Sequence, residues 1–272
     1  MFKTRLLSGI VLVLVALLTI CSGGTVLYMT VLCLSLIGAG ELFRVMKVRE
    51  DKWNLLEITG YAGVVIFYLS LLLHDPMYQM LALILDLVLL MAVYVFTYPK
   101  YNANQVMPAF FAIVYVGVML SYVYQTRMLD GGKFHVWLIF LCSWGCDTCA
   151  YCVGVLFGKH KMAPVLSPKK SIEGAVGGVV GSALLGCIYA YFFGAKMDEV
   201  SNPMVACAVA CAIAAVISQI GDLAASAIKR NHNVKDYGNL IPGHGGVLDR
   251  FDSLTLVAPA MEVLLVLLPM AV

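Results

Sequence analysis

Long apolar runs, each cut off by a short polar or glycine- and proline-bearing stretch, recur along the whole chain. About twenty residues are needed for a helix to cross the hydrocarbon of a bilayer. On that measure the pattern predicts nine spans, near residues 6–22, 24–40, 58–74, 78–96, 107–124, 134–156, 174–194, 203–220 and 254–271. The first two are short and joined only by Ser22-Gly23-Gly24. Polar positions gather instead in two stretches, 157–173 and 221–253. The predicted fold is all-α, a polytopic integral membrane protein built as a single helical domain over 1–272. Its N-terminal spans cover about 6–124, and a part over about 134–272 carries both polar stretches.

Charge orients this pattern. With Lys3 and Arg5 inside, all of the eighteen lysines and arginines except Arg127, Lys133 and Lys196 fall in loops on that same side. The positive-inside rule then predicts a cytoplasmic N-terminus, an outer C-terminus and cytoplasmic polar loops. Composition agrees, with 61% hydrophobic and 12% charged residues, where a soluble domain carries about a quarter charged. Mean hydropathy is +0.90. A net charge of +2 gives no case for a nucleic-acid partner.

The nine cysteines are an odd number and lie mostly in apolar runs, so they read as small hydrophobic residues. Cys142, Cys146, Cys149 and Cys152 share one predicted helix, where ten residues extend about 15 Å, beyond the reach of a single metal. The opening twenty residues are signal-like, but no small-residue cleavage site stands out and a second apolar run follows at once. They are read as a retained first span.

Candidate chemistry sits where ionisable groups meet the ends of spans. From Asp222, offsets of four, seven and eight place Ser226, Lys229 and Arg230 on one helix face. A helix end whose cations complement its dipole accounts for Lys229 and Arg230. It leaves Asp222 unexplained. Asp249 and Asp252 stand one helical turn apart, with Arg250 between them. Carboxylates at that spacing suit a shared hard cation such as Mg²⁺, although aspartates also favour a first helical turn. Ile241-Pro242-Gly243-His244-Gly245-Gly246 is a tight turn by composition, able to close backbone N–H groups on an anion. The stretch Ser167-Pro168-Lys169-Lys170-Ser171 opens a glycine-rich span and suits phosphate. Gly154 to Lys159 departs from a Walker A loop in spacing, and His160 replaces its hydroxyl residue.

Asp147 lies within a span, about 15 Å from its inner end, where a carboxylate is expected to line a polar cavity. Asp86 and Glu262 also lie in spans, and their residue types leave pairing, lipid contact and proton binding open. Gly174, Gly178, Ser182 and Gly186 recur at every fourth position, a stripe that lets another span or a second subunit approach closely.

Several of these residues also form a fixed-spacing pattern. Ser226, Ile228, Lys229-Arg230, Lys235-Asp236, Gly238, Ile241-Pro242, His244-Gly245-Gly246-Val247 and Asp249-Arg250-Phe251-Asp252 resemble the defining motif of the phosphatidate cytidylyltransferases, or CDP-diacylglycerol synthases. Asp147-Thr148-Cys149-Ala150-Tyr151 resembles another block of that family. The Ser167–Ser171 stretch resembles a further block, with serine at position 171 where threonine is usual. The resemblance implies an enzyme that transfers CMP from CTP to phosphatidic acid, with Mg²⁺ dependence and a homodimer.

Carried onto this sequence, it implies metal ligation by Asp222, Asp249 and Asp252, and phosphate contact by Lys169, Lys170, Lys229, Arg230 and Arg250. Ser226, His244, Gly245 and Gly246 would shape the pocket, with Ser167, Ser171 and Asp147 lining it. Lys235 and Asp236 would position the nucleotide. A CTP-dependent polyprenol kinase-like enzyme is the neighbouring alternative. A secondary transporter is the alternative from another class, but no internal repeat supports it.

Overall fold

The computed structural model describes residues 2–49, 54–197 and 202–271. Lys52, counted above among the inner cations, lies outside the described residues, as do the side chains of Lys3 and Arg5. The helices are α1 (Phe2–Ser22), α2 (Gly24–Val45), α3 (Leu55–Leu71), α4 (Pro76–Phe96) and α5 (Ala103–Met128). They continue as α6 (Gly132–Phe157), α7 (Ile172–Phe193), α8 (Pro203–Asn231) and α9 (Leu248–Ala271). Every apolar run expected to span coincides with one of these helices. Among the described residues, six helices (α2, α4, α5, α6, α7 and α8) are long and apolar enough to cross a membrane. The protein is an all-α, multi-pass membrane protein.

Helix is what apolar chain must form in lipid, because each backbone N–H and C=O has to be bonded within its own segment. Local signals then set the ends. Asn54 caps α3 by accepting the Glu57 N–H at 2.8 Å, and Asp75 with Pro76 starts α4. Two helices widen to π geometry midway, α5 over Ile113–Val118 and α6 over Leu141–Gly145. Such turns insert a residue into the ladder and are frequent at functional sites. The second lies just ahead of Asp147.

One departure from the helical pattern falls in the stretch 157–173. Strands β1 (Lys161–Ala163) and β2 (Ser167–Ser171) pair antiparallel there as a hairpin.

The chain forms two compact units. The first comprises Met1–Val15, Thr25–Ser121 and His232–Arg250. It buries Phe43, Phe67 and Tyr68, with Tyr68 Oη 2.7 Å from Ser35 Oγ. Helix α4 buries only Ala82, Asp86 and Leu90, a stripe of every fourth residue. The two Asp86 carboxylate oxygens are buried without a hydrogen-bond partner.

The second unit comprises Ala16–Gly24, Tyr122–Asn231 and Phe251–Val272. Here the stripe on α7 finds its partners in other spans of the same chain. Gly178 packs on Cys146 and Ala150 of α6, and Gly186 on Cys207 and Cys211 of α8. A side chain at either glycine would push the helices apart. The cysteines are free, and Cys142, Cys146, Cys207 and Cys211 are buried as packing residues. Glu262 is paired inside the unit, accepting from Thr126 Oγ1 at 3.1 Å.

Candidate active site

In the second unit, one end each of α6, α7 and α8 surrounds a cavity of about 500 Å³ that carries several charged side chains. Asp147 and Tyr151 from α6, Lys169, Lys170 and Ser171 from β2, and Gln219 and Asp222 from α8 line it. The local sequence explains how each arrives there. Ser171 is the N-cap of α7, its Oγ accepting the Gly174 N–H at 3.2 Å, so the lysines just before it project from the mouth of that helix. Gln219 Nε2 donates to Ala175 O at 2.9 Å and ties α8 to α7 one turn below Asp222. Lys170 Nζ and Asp222 Oδ2 form an ion pair across the cavity.

Helix α9 joins this group through a close crossing. A Cβ on Gly221 would lie 3.1 Å from Asp252 O and 3.2 Å from Ser253 Cα, so a side chain there would push the α8 and α9 backbones a few tenths of an ångström apart. Ser143 Oγ of α6 lies 2.7 Å from Ser253 Oγ and pins the same turn. The result sets Asp252 beside Asp222, with Lys229 Nζ 3.9 Å from Asp252 Oδ2. Asp252 precedes the apolar run of α9. Burial, and then repulsion from Asp222, push its carboxyl up to about 7, against the attraction of Lys229.

Among the described residues no three His, Cys, Asp or Glu side chains are grouped to hold a metal unaided. Asp222 and Asp252 nevertheless offer an all-oxygen pair held close enough to repel. That donor set fits a hard cation that keeps water and substrate phosphate as its other ligands. Ser226 is half-buried and Arg230 exposed on α8, while Ser167 sits at the start of β2; none of the three lines the cavity.

The remaining candidates belong to the first unit, in the loop leading into α9. Lys235, Asp236 and Arg250 are exposed. His244 Nδ1 lies 2.7 Å from Ser8 Oγ, and that hydroxyl also reaches Pro242 O at 3.1 Å. Asp249 is buried, and its Oδ2 accepts the N–H of Tyr237 at 2.7 Å and of Gly246 at 2.9 Å. Within the glycine turn the Gly246 amide is taken by the chain's own Asp249. Glu41 of α2 accepts the N–H groups of Val247 and Leu248.

Glu41 and its neighbour Arg44, which donates to Tyr237 O at 3.2 Å, were absent from the expected site. The available signal was a carboxylate directly after the apolar run 24–40, at the membrane end of a span.

Over residues 3–268 the chain matches the cytidylyltransferase family. It belongs to the cytidylyltransferase family. The cytidylyltransferases it is similar to include a phosphatidate cytidylyltransferase of Staphylococcus epidermidis, 33% identical over 269 residues that cover 97% of this chain and 99% of the relative. Proteins of the same name from Staphylococcus haemolyticus and Staphylococcus aureus are 31% and 33% identical over 272 residues, at the same coverage. This cytidylyltransferase thus matches its relatives over nearly its whole length, both polar stretches included.

Proposed function

We propose that the protein transfers CMP from CTP to phosphatidic acid, yielding CDP-diacylglycerol and pyrophosphate. The observation that carries this reading is the cavity in which Asp147 and Asp222 meet Lys169 and Lys170 inside an otherwise apolar membrane protein. The names of the relatives agree with it.

A phosphate oxygen of the lipid attacks the α-phosphorus of CTP, a P–O bond forms there, and the bond to the β-phosphate breaks. The lipid phosphate is already an anion, so a general base has little to do. The barrier lies in bringing two anions into line and in the charge of the departing pyrophosphate. Lys169 and Lys170 suit that charge, and in the free protein Asp222 keeps Lys170 ordered at the cavity wall. Lys229, beside Asp252, supplies a further positive charge for phosphate. Ser171 shapes the pocket from the cavity wall, as the N-cap of α7. Mg²⁺ held by Asp222 and Asp252 would neutralise phosphate oxygens.

In this reading the chain crosses the cytoplasmic membrane nine times, with its N-terminus and both polar stretches inside, and works as a homodimer. The distribution of lysine and arginine supports that orientation.

The test is to incubate the purified protein with labelled CTP, phosphatidic acid and Mg²⁺. A lipid carrying CMP, together with free pyrophosphate, is expected. A phosphorylated lipid alcohol with free CDP, or no lipid product under conditions where a known cytidylyltransferase works, refutes the proposal.

A further inference from the structure

Glu41 stands near the end of α2 and is 4% exposed. Its Oε1 accepts the Val247 N–H at 3.0 Å and its Oε2 the Leu248 N–H at 2.8 Å. These amides open α9 and have no acceptor within the helix, and the helix dipole favours a carboxylate at that end. The loop is also shaped around this group. A Cβ on Gly246 or on Gly238 would overlap the Glu41 carboxylate, so both positions leave it room. One turn further along α2, Arg44 Nη2 holds Tyr237 O at 3.2 Å. Asp249 Oδ2 closes the circuit by accepting from both Tyr237 and Gly246. Two side chains of α2 therefore grip the two ends of the loop, and Asp249 ties those ends together.

We infer that Glu41 is a positioning residue. It touches no substrate, and acts as a built-in anion that fixes the entry of α9 and so the direction of Asp249 and Arg250. Its effect on turnover rests on the proposed cytidylyl transfer; its grip on the loop does not. A carboxylate is required because it presents two acceptors to two N–H groups. Glutamine offers one acceptor and sets its own N–H₂ against the other amide, leaving a buried donor unpaired.

Hydrogen exchange by mass spectrometry on the full-length protein in lipid nanodiscs reads the grip directly. In Glu41→Gln, the amides of 237–248 are expected to exchange about tenfold faster or more, with α7 and α8 unchanged. Turnover should fall about tenfold in kcat, while KM for CTP moves by less than about threefold. Gly246→Ala should loosen the same loop in the wild-type background. In Glu41→Ala it should do little or restore protection, because the methyl group enters vacated space.

Unchanged exchange in Glu41→Gln overturns the inference. So does a Gly246→Ala effect that is the same with and without Glu41. Exchange that rises equally in every helix, in Glu41→Asp as well as Glu41→Gln, makes Glu41 an ordinary packing residue and equally overturns it. If the wild type makes no CDP-lipid, the proposed reaction fails, yet loop exchange still decides the role of Glu41.

Discussion

Replacing Lys229 by Met removes the cation beside Asp252 while keeping the volume and apolar stem of the side chain. Both partners are nearly buried, 11% and 13% exposed, at 3.9 Å. At an effective dielectric constant of about 20, their attraction is about 4 kcal/mol. Breaking a buried pair ordinarily costs about 3–5 kcal/mol, because the orphaned charge stays behind. Asp252 has an escape: its carboxyl already titrates at about 7, raised by burial and by Asp222. It can take up a proton instead of remaining charged. At pH 8 the ionised form in the wild type is favoured by only about 1.4 kcal/mol, one unit's worth. Protonation therefore caps the destabilisation at about that value.

The sign follows from linkage. The folded pKa of Asp252 lies above its ordinary 3.8, so ionisation costs the fold and stability falls as pH rises from about 4 to about 7. In the wild type the fall stops above 7; in Lys229→Met, with the carboxyl pushed higher, it continues. The variant should thus match the wild type near pH 6 and lose about 1.4 kcal/mol per pH unit above 7. That corresponds to roughly 2–4 °C in melting temperature at pH 8. Thermal melts of metal-free protein in detergent, at half-unit steps from pH 5.5 to about 8.5, measure it. A penalty that is flat across that range, or several times larger at pH 6, refutes the reasoning.

Other outcomes follow from the same geometry. Gly221→Ala places a methyl group 3.1 Å from Asp252 O and 3.2 Å from Ser253 Cα, both backbone atoms. It should cost about 1–3 kcal/mol in thermal melts, as overpacking does, and lower turnover by displacing Asp252 from Asp222. Asp249→Asn loses the charge at two buried backbone donors, so turnover should drop by about a hundredfold or more in the labelled-CTP assay. A rate close to normal would remove Asp249 from the mechanism. Chelation by EDTA should abolish CDP-lipid formation, and Mg²⁺ should restore it; persistence of activity in metal-free buffer would sink the proposed metal requirement.

Much of this was written in the residues themselves. The lengths of the apolar runs dictated the helices, since a segment in lipid has to satisfy its own backbone before it meets any neighbour. The spacing of Asp222, Ser226, Lys229 and Arg230 put them on one stretch of α8, and Lys229 does turn inward there. What spacing could not reveal was the partner across space. Lys170 meets Asp222, and the expected face of α8 is divided, with Arg230 left exposed. The hairpin over 161–171 also went unread, because its five- and three-residue strands carry no period long enough to register.

The amino-acid order alone determined a helical membrane protein with its polar residues in two stretches, because helix formation in lipid is a local matter. Only the tertiary structure decided which distant groups share a hydrogen bond. Glu41 grips Val247 across 206 residues of chain. Gly221 admits Asp252 because a missing side chain there lets two helices touch. Such contacts depend on how helices pack, through small residues and buried polar groups, and neighbours along the chain do not encode that.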